Sequence, residues 1–230
     1  MAKQVCLLDF DGVVLRHKAG QEAVTRRCQL YVQRHTCVKD MRTVKELNRN
    51  LYEATGHTML GLKKLGYPVN IKEFNHYVYR NIDYNLFKNI RETHQDDINV
   101  LKNIQQLCSD TNTPLYIFSA APDIWCQSIL NMMDDKLANI NTLSNITGRH
   151  LKPDMSGYDQ IEAIFKGKQL HFVDDKLINL FPVFGRDSWT NYLMCDQAAE
   201  TDNTKHINGI HVINKLSSFS IVFENIMCKK

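Results

Sequence analysis

Apolar and polar positions change rhythm twice along this chain. Val5 to Leu8 is a short apolar run closed by Asp9, Asp11 and Gly12, which predicts a buried strand ending in a turn. From Gln21 to about Asn99 strand-like alternation almost vanishes. QEAVTRRCQLYVQRH sets Val24, Cys28, Leu30 and Tyr31 at helical spacing, and MRTVKELNRNLYEAT puts Val44, Leu47, Leu51 and Ala54 on one face. HTMLGLKKL and IKEFNHYVYRNI follow, punctuated by Gly56, Gly66 and Pro68, so a block of about four helices is predicted. From Asp96 strands return. DDINVLKNIQQLC reads as an amphipathic helix, LYIFS as a strand ending at Ser119, and DIWCQSILNMM as a helix opened by Pro122 and Asp123. A weaker strand is expected near Ile140 to Leu143, then a helix over YDQIEAIFKG. LHFV is a strand that runs straight into Asp174 and Asp175. LINLFPVFG is a short helix, TNYLMC and GIHVIN are strands, and FSIVFENIMCKK is the last helix.

Strands alternating with helices predict an α/β fold: a Rossmann-like, mostly parallel sheet flanked by helices, with right-handed crossovers. The helical block interrupts that alternation after the first strand and therefore reads as an insertion. Residues 1–16 and 100–230 are expected to form the core, and residues 17–99 an all-helical cap.

Composition narrows the class only a little. Of 230 residues 43% are hydrophobic and 23% charged, which is ordinary for a soluble globular protein. The net charge is +3 with scattered basic residues, so a nucleic acid polymer is not an expected partner. Seven cysteines without a CxxC pair fit a reducing compartment. Asp9 interrupts the first apolar run, so no signal peptide is expected, and no run approaches the length of a membrane span. A cytoplasmic location without a membrane partner follows as the expectation. The Asn145-Ile146-Thr147 sequon is read as chance.

The candidate chemistry lies at strand ends. Asp9 and Asp11, two residues apart, leave one side of the first strand. Ser119 ends the second, and Asp174 with Asp175 ends a later one. In a parallel sheet these ends share an edge. Carboxylates crowded in an apolar mouth repel, so one tends to hold a proton. Four of them call for a cation, and hard oxygen ligands suit Mg²⁺. The Ser119 hydroxyl and the Lys152 ammonium supply what a phosphate needs on its other side. Taken singly these residues are ordinary: Ser119 a strand-end hydroxyl, Asp174 and Asp175 a helix N-cap pair. Lys152 alone is a solvated lysine in a turn-rich loop, with little weight in folding. Their joint order is what favours a site. Asn179 reads either as orienting a carboxylate or as bonding within its own helix. Arg16 and His57 are candidates to face substrate from flap and cap, although surface positions are their plainer reading. Tyr77, Tyr79 and Tyr84 read as cap core.

DFDGV, IFSAA, LKPD and FVDD, in that order over nearly the full length, resemble the four motifs of the haloacid dehalogenase-like superfamily of phosphohydrolases. The helical insertion stands where that superfamily carries its cap. The segment TGHTMLGLKKLGYPVNIKEFNHYVYRNIDYNLF is similar to the cap of pyrimidine 5′-nucleotidase-type members, and VDDKLIN to their VDDSxxN run. The resemblance implies a Mg²⁺-dependent phosphomonoesterase that hydrolyses a small phosphorylated metabolite through an aspartyl-phosphate. A nucleoside 5′-monophosphate is the foremost substrate class. A sugar-phosphate phosphatase or phosphotransferase is the alternative, and a catalytically silent binding protein is the third reading.

The resemblance also assigns roles. Asp9 is the nucleophile, and Asp11 protonates the leaving oxygen and then activates water. Ser119, the Ala120 N–H and Lys152 hold phosphoryl oxygens. Asp175 binds Mg²⁺ directly and Asp174 directly or through water, with Asp9 and the Asp11 carbonyl completing the ligands. Ala120 departs from the Asn of many relatives. That removes a side-chain contact but keeps the backbone donor. Because Asp11 is intact, a dehalogenase is not expected.

Overall fold

The computed structural model describes residues 3–143, 151–195, 205–207 and 209–228. The sequon at 145–147 and the turn-rich stretch at 147–150 lie outside them. Seven strands form one sheet: β1 (Gln4–Leu8), β2 (Leu115–Ile117), β3 (Asn141–Thr142), β4 (Gln169–Asp174), β5 (Trp189–Met194), β6 (Lys205–Ile207) and β7 (Ile210–Ile213). Their order is β3-β2-β1-β4-β5-β7-β6. All neighbours pair in parallel except β6, which runs antiparallel to β7 at the edge. The sequence pattern does not predict β6, because three residues are too few to show alternation.

β1 is the pivot. Its partners β2 and β4 lie on opposite sides of it, so strand order reverses there and opens a crevice at the carboxyl ends. Leu8 is level with Ile117 on one side and Val173 on the other. The residues that follow therefore emerge together. β1 is buried on both faces, as a central parallel strand must be. Cys6 and Leu8 join one apolar cluster, Val5 and Leu7 the other.

The predicted helical block is present as α1 (Lys18–His35), α2 (Met41–Thr55), α3 (Thr58–Lys64) and α4 (Ile71–Tyr79). Side chains start these helices where the sequence offers a cap: Asp40 accepts from the Thr43 N–H at 2.8 Å and Asn70 from the Glu73 N–H at 2.9 Å. The inward face of α2 differs from its apolar count. Val44 and Leu51 are buried, but Ala54 is exposed and Asn48 is buried instead. Asn48 tolerates burial because its side-chain oxygen accepts from the Thr58 hydroxyl at 2.9 Å.

A short α5 (Ile90–Thr93) leads into α6 (Gln95–Asp110), so the expected boundary at residues 99 and 100 falls inside one continuous helix. α6 packs on the last helix, α10 (Leu216–Cys228). α7 (Asp123–Met133), α8 (Met155–Ile164) and α9 (Leu177–Leu180) complete the core. The larger apolar cluster is continuous from β1 through Trp125 of α7 to Tyr31 and Phe74 of the helical block. All seven cysteines are free thiols. Among the described residues no helix is long and apolar enough to cross a membrane.

Candidate active site

Asp9 follows β1 directly, and its N–H donates to the Val173 carbonyl at 2.9 Å, so β4 holds it level with Asp174. The chain then turns back through residues 10–15, where the Gly12 N–H meets the Leu15 carbonyl at 2.9 Å. Gly12 has φ +103°, and a Cβ there would lie 2.4 Å from an Asp175 carboxylate oxygen. No other residue fits between the turn and Asp175.

Asp9, Asp174 and Asp175 each offer a carboxylate oxygen within 4.8 Å of the others. Four converging carboxylates were expected. Three form this cluster, while the fourth, Asp11, turns its carboxylate to the indole N–H of Trp125 at 3.4 Å. The Asp11 carboxylate is therefore not part of the cluster.

Lys152 stands beside the carboxylates, where the joint reading of the motifs puts it, but its surroundings differ from those of a loop lysine. It is not a solvated loop lysine but is 3% exposed. Its ammonium donates to Asp9 Oδ1 at 2.7 Å and to Asp174 Oδ2 at 2.6 Å. Burial works against its charge, yet Asp174 and Asp9 outweigh burial and raise its pKa. Bonds this short are those of an ionised pair. Burial pushes Asp9 up, Lys152 pulls it back, and Asp174 and Asp175 push it up again.

Asp174 is the most engaged carboxylate. Besides Lys152 it accepts from the Asn179 side-chain amide at 3.0 and 3.1 Å and from the Lys176 N–H at 2.8 Å. Asn179 therefore orients a carboxylate, which decides between its two readings. The Asn179 carbonyl is itself anchored by the Tyr158 hydroxyl at 2.5 Å.

Whether a divalent cation fits can be tested on Asp175. Its Oδ2 pairs with the Lys176 ammonium at 2.8 Å, but its Oδ1 is buried without a hydrogen-bond partner among the described residues. An orphaned buried carboxylate oxygen is costly unless something cationic meets it. Asp9 and Asp174 bring further carboxylate oxygens within 4.8 Å of Asp175, and such hard oxygens are the ligands Mg²⁺ prefers. The residues fit the ion.

Asp11 is set apart by its surroundings. Burial lifts its pKa from the ordinary carboxylate range to about 6, with Trp125 pulling it down and Asp175 pushing it up. The ring of Trp125 is in turn walled by Tyr79, Tyr84 and Phe87. Next to β2, the Ser119 hydroxyl oxygen accepts from the Ala121 N–H at 3.1 Å, which fixes the side chain at the cavity. The Ala120 N–H donates to no acceptor among the described residues, so it remains available.

Asp9, Asp11, Ser119, Ala120, Lys152 and Asp175 line one cavity of about 1140 Å³ between core and helical block, and Asp174 and Trp125 stand behind its wall. His57 lines it and is buried. Its Nδ1 accepts from the Met59 N–H at 3.1 Å, which puts the ring proton on Nε2. Arg16 is not among the residues that line it. Tyr79, read as cap core, lines it as well as packing. Sequence reasoning missed Trp125, Lys176, Asn48, Tyr52 and the basic face of α2. Only Lys176, adjacent to Asp175, carried a signal that could have been read.

The fold is that of solved haloacid dehalogenase-like hydrolases. The HAD-hydrolase YfnB of Bacillus subtilis, bound to magnesium, superposes with a TM-score of 0.56 at 18% identity, over 96% of this chain and 99% of that one. A HAD phosphatase of Thermococcus onnurineus gives 0.53 at 13% identity, over 96% and 97%. The L-2-haloacid dehalogenase of Xanthobacter autotrophicus gives 0.53 at 12% identity, over 98% and 100%. No protein-family model and no curated protein matches the sequence.

Proposed function

We propose that this protein is a Mg²⁺-dependent phosphomonoesterase that acts on a small phosphorylated metabolite through an aspartyl-phosphate on Asp9. The observation that carries the reading is the second carboxyl, Asp11, half-buried two residues from Asp9, bonded to Trp125 and able to hold a proton near pH 6. Dehalogenases share the fold, but cleaving a carbon–halogen bond needs no proton donor for the departing halide. Departure of an alkoxide does need one.

The Asp9 carboxylate attacks phosphorus as the bond to the leaving oxygen breaks, and Asp11 gives that oxygen its proton. Asp11 then takes a proton from water as the water oxygen attacks the same phosphorus, which releases phosphate and frees Asp9. Lys152 keeps Asp9 aimed and faces the phosphoryl oxygens together with Ser119 and the Ala120 N–H. Mg²⁺ held by Asp9, Asp175 and Asp174, with the Asp11 carbonyl, would neutralise charge on the transferring group.

A nucleoside 5′-monophosphate is the substrate class favoured by the cap sequence. Tyr52, the exposed one of the rings that line the cavity, offers a flat surface to a base, with Tyr79 and His57 beside it. A panel of phosphorylated metabolites with Mg²⁺, read as released phosphate, tests the reading. Turnover of haloacids with no phosphate release from any ester would overturn it.

A further inference from the structure

One wall of the cavity is a single face of α2 along its whole length. Met41, Arg42, Lys45, Asn48, Arg49 and Tyr52 line it, down to Gly56 at the helix end. Gly56 has φ +73°, and a Cβ there would lie 3.1 Å from Pro153 and 3.5 Å from the Asn179 side chain, so this end of α2 abuts the catalytic edge. At about 1.5 Å per residue, Arg49 stands about 10 Å, Lys45 about 16 Å and Arg42 about 21 Å along the axis from Gly56. The cavity therefore extends well beyond a phosphate and exceeds the roughly 300–1,000 Å³ of ordinary ligand pockets.

Charge is divided along that length. The catalytic end is acidic. The α2 wall carries three cations against one carboxylate, Glu46. Arg42 and Lys45 have no carboxylate within 4.0 Å among the described residues, and Arg49 reaches Glu53 only at 3.9 Å. The shallow cleft that continues the cavity between α1 and α2 adds Lys18 and Arg26 against Glu22. An isolated basic side chain on a helix is usually solvated. Three cations on the face that walls the cleft, against the single carboxylate of Glu46, leave that wall net positive, an electrostatic surface for an anion.

We infer that the substrate carries a second anionic group, a phosphate or carboxylate, held by Arg42, Lys45 and Arg49 while the scissile phosphate sits at Asp9. This rests on the phosphomonoesterase reading and sharpens it: a nucleoside or other metabolite with a second charged group fits the cleft better than a plain monophosphate.

The test is calorimetric binding of dodecanediol bisphosphate and dodecanediol monophosphate, long enough to reach Arg42 and Lys45, to the full chain with Mg²⁺, alongside phosphate release from both. The bisphosphate should bind roughly tenfold tighter or more, and the advantage should shrink at high salt. The double variant Arg42→Ala/Lys45→Ala should remove most of it. Equal affinities in the unaltered protein, which depend on no variant, would overturn the inference. An advantage that survives the double variant, with its helical signal intact, would overturn the assignment to this wall. Absence of phosphate release from either probe, with the affinity difference present, would defeat the phosphatase reading instead.

Discussion

On the sheet side of the cleft, Asp9, Lys152 and Asp174 are buried and bonded to one another, and Asn179 and Tyr158 brace them from behind. On the α2 side, Arg42 and Lys45 are exposed and unpaired with carboxylates among the described residues. The core wall holds a few groups rigidly for one reaction. The cap wall presents charge on long, solvated side chains that can adapt to what is bound. Removing a core charge should therefore harm both chemistry and folding, whereas removing a cap charge should touch recognition alone.

The largest effect is expected from Asp9→Asn: a loss of about 10⁴–10⁶ in kcat, in line with removal of a catalytic nucleophile. Rapid-quench labelling with phosphate-labelled substrate should then recover no labelled protein. Label that persists on another residue would move the chemistry away from β1. Chelation comes next. EDTA should bring phosphate release to background and Mg²⁺ should restore it, since Asp9, Asp174 and Asp175 converge and the buried Asp175 Oδ1 has no hydrogen-bond partner among the described residues. Undiminished turnover in EDTA would sink the metal assignment.

Lys152→Ala should lower kcat by roughly 10²–10³, as loss of one donor to developing charge does. It should also cost about 3–5 kcal/mol of stability, because it leaves two buried carboxylates without their cation. A denaturant midpoint equal to the unaltered protein would erase the distinction between the two walls.

A smaller effect tests the core away from the cleft. His171, buried between Gln4 and the Tyr192 hydroxyl, has its pKa lowered to about 4 by burial, with His211 adding to it. Below about pH 6.5 the unfolded chain takes up a proton that the folded imidazole refuses until about pH 4. Stability from this group is thus complete above pH 6.5 and falls by up to about 3 kcal/mol as pH drops to 4. His171→Asn should flatten that part of the pH–stability curve. The smallest effect is expected from Arg42→Ala, whose stability should stay within about 0.5 kcal/mol. A loss well above that, in the same denaturation measurement, would make the α2 wall structural rather than ligand-facing.

Asp9, Asp11, Ser119, Asp174 and Asp175 were legible in the sequence because each directly follows or ends a short apolar run. In a parallel sheet, such ends can only meet on one edge. The alternation of strands and helices and the position of the helical insertion were legible for the same local reason. Other features depended on how segments pack. Lys152 sits in a loop whose pattern says nothing of burial, and only the approach of Asp9 and Asp174 makes that burial tolerable. Asn48 replaces Ala54 on the buried face of α2 because Thr58, on the next helix, meets its amide. Trp125 becomes the partner of Asp11 only when α7 packs beside the turn after β1. The direction of the α2 cations was hidden for a related reason: spacing puts residues on one face of a helix, but does not say whether that face meets solvent, core or cleft. Local sequence determines periodicity and strand-end chemistry, since both depend on neighbours in the chain. Burial, pairing and pocket shape depend on neighbours in space, and those the tertiary structure alone decides.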